Sequence, residues 1–107
     1  MNQTNDRVKD IIRIAAAEFF SRESNRTSLI TVTGVELRNR GERAKILVTV
    51  LPEHQAHAAL DFIHRQLAKF REYVSQNTRL MKTPFFDIAL DEGEKNRQRI
   101  DEIEKSI

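Results

Sequence analysis

The side chains best suited to chemistry in this sequence are its basic ones. Twelve of the eighteen basic residues are arginine, whose planar guanidinium carries donors that match phosphate oxygens. The candidates for contact with a nucleic-acid backbone are Arg38, Arg40, Arg43, Lys45, Arg65, Lys69, Arg71, Arg79 and Lys82. The net charge is only +2, so indiscriminate binding of polyanions is not expected. An uneven distribution of charge would still create one basic face.

The same basic residues also have a simpler interpretation. Arg38, Arg40 and Arg43 crowd a predicted turn around Gly41, where charge alone can keep a hairpin soluble. We keep both interpretations open for that turn. Arg65 follows Asp61 by four residues, a spacing at which helical side chains pair. For Arg65 we favour this local ion pair over contact with a partner.

Three histidines and an aspartate share one predicted helix. His57, Asp61 and His64 follow His54 at helical spacing, and such residues can bind zinc or nickel. A single helix rarely aims three ligands at one ion, so we interpret them as a polar face and expect no metal. No nucleophile elbow, phosphate-binding glycine loop or paired-histidine zinc motif occurs, and no cysteine is present. We predict a protein that is not an enzyme, with no cofactor and no small-molecule substrate.

Periodicity indicates which elements carry these side chains. We predict a first helix from Asp6 to about Ser21, followed by two strands at 29–37 and 44–51 that form an antiparallel hairpin. A long helix from about Pro52 to Asn77 and a third strand over 85–90 complete the order. Gly34 inside the first strand predicts a bulge or a close approach of another backbone. A bend in the long helix would let both its halves pack on a small sheet.

The fold class that follows is α+β, with a three-stranded sheet covered by helices on one face. We expect a single domain over residues 1–107, with a core of about 6–91 and a short C-terminal helical tail at 92–107. Apolar runs fall short of the about 20 residues that span a bilayer, and the N-terminal residues are polar. We therefore expect a cytoplasmic monomer that does not associate with a membrane.

The order of elements and five local segments resemble the ribosome-binding factor A family. The segments are Arg7-Val8, Val32-Thr33-Gly34-Val35-Glu36, the strand that opens with Ala44-Lys45, Leu80-Met81-Lys82-Thr83-Pro84, and Asp91 followed by Arg99-Ile100. No single segment is specific, but all five occur in the family's order. The resemblance covers about residues 6–103, nearly the whole chain.

The resemblance implies a type II KH-like domain of order α-β-β-α(kink)α-β. In this family a kink carrying an Ala-x-Gly-type motif replaces the Gly-x-x-Gly loop with which other KH domains clamp single-stranded RNA. The matching positions are Gln66, Leu67 and Ala68, so alanine stands where the family has glycine. Alanine favours helix by about 1 kcal/mol over glycine, which predicts a shallow or displaced kink. Lys45, Arg71, Arg79 and Lys82 match basic positions of the family.

The function that the resemblance implies is assembly of the small (30S) ribosomal subunit. A family member is expected to bind particles that contain 16S rRNA or its precursor, to assist rRNA processing and maturation, and to matter in cold adaptation. The alternative is a KH-like module that binds a protein, or RNA generally, away from the ribosome. Basic residues gathered on one face would favour RNA, whereas an exposed patch of Phe62, Tyr73 and Phe85 would favour a protein partner.

Overall fold

Two helices and three strands make up the fold. The computed structural model describes residues 5–23 and 28–93. In chain order the elements are α1 (Asn5–Glu23), β1 (Leu29–Arg38), a 3₁₀ turn (Asn39–Gly41), β2 (Arg43–Leu51), a second 3₁₀ turn (Glu53–Gln55), α2 (Ala56–Asn77) and β3 (Phe85–Leu90). Each predicted helix and strand within the described residues is present, and its ends lie within a few residues of the predicted ones. Most of the predicted tail helix lies outside the described residues.

The three strands form a mixed sheet in the order β1-β2-β3. β1 and β2 are the predicted antiparallel hairpin, with Leu29 opposite Leu51 and Arg38 opposite Arg43. β3 runs parallel to β2, because the long α2 returns the chain to the end of the sheet from which β2 starts. The helix-supported crossover is the usual connection between parallel strands. It brings Phe85, the first residue of β3, next to the hairpin turn.

The glycine in β1 marks a bulge, one of the two alternatives that the sequence left open. The pairing register shifts between Val32, which faces Val48, and Gly34, which faces Leu47. The extra residue is Thr33, and its hydroxyl oxygen lies 2.6 Å from Asp91 Oδ2 and 3.3 Å from the Leu47 carbonyl oxygen. The bulge therefore lets β1 contact the end of β3 across the intervening strand.

The long helix α2 differs in one detail from the element order that the resemblance implies. It runs as a single helix from Ala56–Asn77 and is not divided into two segments at Gln66, Leu67 and Ala68. Alanine at position 68 explains the difference, since it favours helical backbone where glycine would weaken it. The fold class is otherwise as predicted, with both helices on one face of the sheet.

The core lies between the helices and the covered face of the sheet. Along β2, Ala44, Ile46, Val48 and Val50 are buried while the residues between them are not. The helices and β3 contribute an aromatic cluster to the core. The ring centroid of Phe70 lies 5.3 Å from that of Phe19, 5.2 Å from that of Phe20 and 4.8 Å from that of Phe86. These rings pack as core residues and are unavailable to a partner.

The described helices are too polar to cross a bilayer. Over residues 5–23 and 28–93, none combines the length and hydropathy that a membrane-spanning helix needs.

Candidate nucleic-acid interface

Three of the predicted basic residues meet in one recess at the β3 edge of the sheet. The edge recess, as we call it, is lined by Asn39, Glu42, Arg43, Arg71, Ser75, Lys82, Thr83 and Phe85. It lies between the hairpin turn, the C-terminal half of α2 and the start of β3. Its lining carries three cationic side chains and one carboxylate, so its charge is positive. A second hollow that includes Ala68 adjoins it and shares Arg43, Arg71 and Phe85.

Arg71 is the most firmly held side chain of the edge recess. Its Nε donates to the Pro84 carbonyl and its Nη2 to the Thr83 carbonyl, both at 3.1 Å. Its guanidinium also lies over the Phe85 ring, 4.3 Å from the ring centroid, at cation–π distance. Arg71 thus fastens α2 to the segment that leads into β3. Its acceptors are neutral carbonyls, and over residues 5–23 and 28–93 no carboxylate forms an ion pair with it.

Arg43 and Lys82 sit in exposed ion pairs on either side of Arg71. Arg43 Nη2 lies 3.2 Å from Asp87 Oδ2, and Lys82 Nζ lies 3.4 Å from Glu42 Oε1. Exposed pairs of this kind contribute about 0–1 kcal/mol. Such a pair can therefore open at little cost when a phosphate competes for the cation.

The hairpin turn beside the edge recess has an unusual backbone. Asn39, Arg40 and Gly41 have φ values of 52°, 56° and 83°, in the left-handed region that asparagine and glycine tolerate far better than arginine. Arg40 is exposed and, among residues 5–23 and 28–93, has no hydrogen-bond or ion-pair partner. Arg38 pairs with Glu36 at 3.1 Å. Among the described residues, Arg40 is thus an unpaired cation at the tip of the turn.

Lys45 lies in the middle of the open face of the sheet, two residues along β2 from Arg43 and outside the lining of the edge recess. It is half-buried, and its register neighbours are Glu36 on β1 and Asp87 on β3. Since Glu36 pairs with Arg38 and Asp87 with Arg43, the surroundings of Lys45 are nearly neutral.

The structure does not bring the other predicted residues into the edge recess. Arg79 lines a separate groove between α1 and α2, together with Arg7, Ile14 and Tyr73. Arg65 and Lys69 lie on the exposed side of α2. The predicted ion pair between Arg65 and Asp61 is absent: Asp61 Oδ2 instead lies 3.4 Å from His57 Nε2, one turn earlier on the helix.

The structure describes no metal centre. Within residues 5–23 and 28–93, no group of three histidine, cysteine or acidic side chains is placed to hold an ion. His57 is 91% exposed and its contact is with Asp61, as expected for the polar face of a helix. The expectation that the protein uses no metal stays a prediction.

The aromatic residues do not form the exposed patch that would favour a protein partner. Phe62 and Tyr73 are partly buried against the core, and the Tyr73 hydroxyl lies 3.3 Å from Glu18 Oε2. Phe85 alone of the three is exposed, at 59%, and it lies in the edge recess. Strand alternation could have predicted the exposure of Phe85. Phe86 and Ile88 lie two residues apart and face the core together, so Phe85 must lie on the opposite face of β3.

The mixed three-stranded sheet, with both helices on one face and a basic recess at its edge, defines a small α+β domain of the KH-like class. A model of the family "Ribosome-binding factor A" matches residues 4–104. Because that match covers nearly the whole sequence, the chain belongs to the ribosome-binding factor A family.

Solved structures of this family have the same fold. The crystal structure of ribosome-binding factor A from Thermus thermophilus is similar with a TM-score of 0.70 and 20% identity, over 82% of this chain and 97% of that one. A solution structure of a putative ribosome-binding factor A from Thermotoga maritima is similar with a TM-score of 0.61 and 22% identity, over 83% of this chain and 90% of that one. A homology model of the Thermus thermophilus protein, fitted into a cryo-EM map of a 30S complex, is similar with a TM-score of 0.62 and 20% identity. The similarity covers 74% of this chain and 86% of that one.

Proposed function

We propose that this protein binds the small ribosomal subunit during its assembly in the cytoplasm and assists the processing and maturation of 16S rRNA. The observation that carries the proposal is the family match over residues 4–104. It is supported by a Thermus thermophilus relative that has been fitted into a map of a 30S complex. The positive edge recess supplies a surface on this chain that suits rRNA.

The chemistry of the edge recess suits contact with an RNA backbone. Arg71 is held by two backbone carbonyls and has no ion-pair partner in the described part of the chain, while Arg43 and Lys82 lie beside it in weak ion pairs. Phosphate contacts fix position and orientation but carry little sequence information. We therefore infer that the protein docks on folded rRNA by shape and charge. Docking favours one rRNA conformation, and release follows when later contacts compete for it.

The distribution of aromatic side chains makes the protein-interaction alternative weaker. That alternative needs Phe62, Tyr73 and Phe85 to form one exposed patch, but the first two pack against the core and the third lies among cations. We therefore assign the edge recess to RNA.

Sedimentation of the tagged protein with ribosomal particles tests the proposal. Lysate is resolved on gradients over a series of salt concentrations, and the protein is located in each fraction. We expect enrichment on small subunits that falls steeply with salt, because each phosphate neutralised on a duplex makes the slope of log affinity against log salt more negative by about 0.9. Recovery away from ribosomal particles, unchanged by salt, would refute the proposed function.

A further inference from the structure

Phe85 is an aromatic side chain in an unusual position for a small domain. It opens the edge strand β3, is 59% exposed and lines the edge recess together with three cations. Its neighbour Phe86 takes the buried place in the core and contacts Phe70. Packing of the core therefore does not account for an aromatic residue at position 85.

One face of the Phe85 ring is covered by an oriented cation. The Arg71 guanidinium lies 4.3 Å from the ring centroid, and its bonds to the Thr83 and Pro84 carbonyls hold it there. Phe85 as a whole residue is still 59% exposed, so part of its side chain is open to solvent beside Arg71. An exposed aromatic side chain of this kind offers a surface on which a second flat group can stack.

The groups around the ring suit the rest of a nucleotide. A guanidinium has more N–H donors than the two that Arg71 uses for the carbonyls, and the remainder can donate to phosphate. Lys82 and the polar residues Asn39 and Ser75 line the same space. The volume of the recess is about 620 Å³, within the range of about 300–1,000 Å³ that small-molecule sites occupy.

We propose that the edge recess binds one unpaired nucleotide of RNA, whose base stacks on the Phe85 face opposite Arg71 and whose phosphate contacts Arg71 and Lys82. This inference rests on the proposed function, since it names the part of the rRNA that the recess takes. Single-stranded RNA is commonly held by aromatic side chains and arginine planes on which bases stack. Every base has a flat face, so the site accepts any base that has left its helix.

A single nucleotide is consistent with the missing Gly-x-x-Gly loop. That loop lets KH domains bring backbone close to a run of four nucleotides, and Ala68 within the continuous α2 cannot replace it. The recess instead offers one exposed aromatic ring with cations beside it. We therefore expect recognition of a bulged, looped or terminal nucleotide in otherwise folded RNA.

Tryptophan fluorescence tests the nucleotide site directly. The chain contains no tryptophan, so Phe85→Trp places the variant's single tryptophan in the edge recess, where it can be excited selectively. Leu29→Trp is the matched control, since Leu29 is 63% exposed at the far end of β1 from the hairpin turn. Each variant is titrated with a short unstructured RNA oligonucleotide and with the blunt duplex of the same sequence.

We expect saturable quenching of Phe85→Trp by the single strand, at least fivefold weaker quenching by the duplex, and no such preference in Leu29→Trp. Equal quenching by the single strand and the duplex, or the same response from both variants, would overturn the nucleotide site.

Binding to purified small subunits gives the second measurement. Phe85→Leu keeps an apolar side chain but removes the flat ring. Loss of base stacking corresponds to about 1–3 kcal/mol per base, so we expect affinity to fall about 5- to 150-fold. Leu29→Ala, at a position outside the recess, should bind like wild type, with thermal unfolding checked for each variant.

The two proposals fail in different ways. If the wild-type chain does not bind small subunits but the single strand still quenches Phe85→Trp selectively, the proposed function is refuted and the nucleotide site stands. If the wild type binds and Phe85→Leu binds equally well, the proposed function stands and the nucleotide site is refuted.

Discussion

Phe85 and Phe86 are consecutive in β3 but belong to two different regions of the molecule. Phe86 is 7% exposed and packs with Phe70 in the core, whereas Phe85 is 59% exposed and lies among cations in the edge recess. Strand alternation sends neighbouring side chains to opposite faces. One face of the strand therefore holds the fold together while the other face remains available to a partner.

The comparison separates residues that govern stability from residues that govern binding. Core residues should change the free energy of unfolding, and recess residues other than Arg71 should change affinity alone. Arg71 joins the two regions, because it fastens α2 to the chain before β3 and also presents charge to the edge recess.

The largest effect is expected from Phe70→Ala in the core. Phe70 is fully buried and contacts three other rings, so truncation leaves a cavity that costs about 3–5 kcal/mol. Denaturant unfolding of the variant and the wild type measures the loss. Ile14→Ala is the control, since Ile14 is 51% exposed and should cost far less; similar losses in both would contradict this description of the core.

Arg71→Met is expected to lower both stability and binding. It removes two hydrogen bonds from a charged donor, and such bonds contribute about 1.5–3 kcal/mol each. Part of this loss in unfolding free energy should be offset, because the apolar side chain of methionine can keep the packing contacts of the arginine stem. Urea unfolding and small-subunit binding are measured together. Arg71→Lys keeps the charge but not the planar fork, so it should bind better than Arg71→Met while being destabilised as well. A variant with unchanged stability would show that Arg71 does not fasten α2.

Ala68→Gly tests why α2 is continuous. Position 68 is exposed, so no packing is lost and the expected destabilisation is the difference in helix propensity, about 1 kcal/mol. Thermal unfolding gives the size of the effect, and hydrogen exchange along α2 gives its location. Faster exchange centred on residue 68 is expected. A more stable variant would mean that the helix is already strained at this position.

Arg40→Gly should move stability and binding in opposite directions. Relief of the left-handed backbone at Arg40, which costs about 1–2 kcal/mol for a residue with a side chain, exceeds the entropy that glycine adds to the unfolded chain, about 0.4–1 kcal/mol. We expect a gain of about 0.5–1 kcal/mol in unfolding free energy. Weaker binding to small subunits should accompany it, because a cation beside the edge recess is lost. Unchanged binding would remove Arg40 from the interface.

Local patterns in the sequence predicted the elements well. The helical spacing of Phe70 and the strand phase of Phe86 placed both in the core, and Gly34 indicated the bulge next to it. These features depend on neighbours in the chain, which periodicity describes. The family's kink was expected at Gln66, Leu67 and Ala68, where one alanine is enough to keep the helix continuous.

The arrangement of the edge recess could not be predicted from such patterns. Lys82 lies beside Glu42, forty positions earlier in the chain, and Arg71 donates to backbone carbonyls that any sequence would offer. Contacts of this kind depend on how β3 is placed against β2. Within α2, Asp61 pairs with His57, four positions before it, and not with Arg65, four positions after it, and spacing alone does not decide between the two.

The central claim is that the edge recess binds the small ribosomal subunit through its cations. The most direct test compares Lys82→Glu with Arg13→Glu, which makes the same charge change on α1 outside the recess; each residue is exposed and holds one ion pair. Affinity for purified small subunits is measured over a salt series. For Lys82→Glu we predict weaker binding and a dependence of log affinity on log salt that is less steep by about 0.9, with near-normal thermal stability. For Arg13→Glu we predict near-normal binding. Equal binding by the two variants would contradict the account.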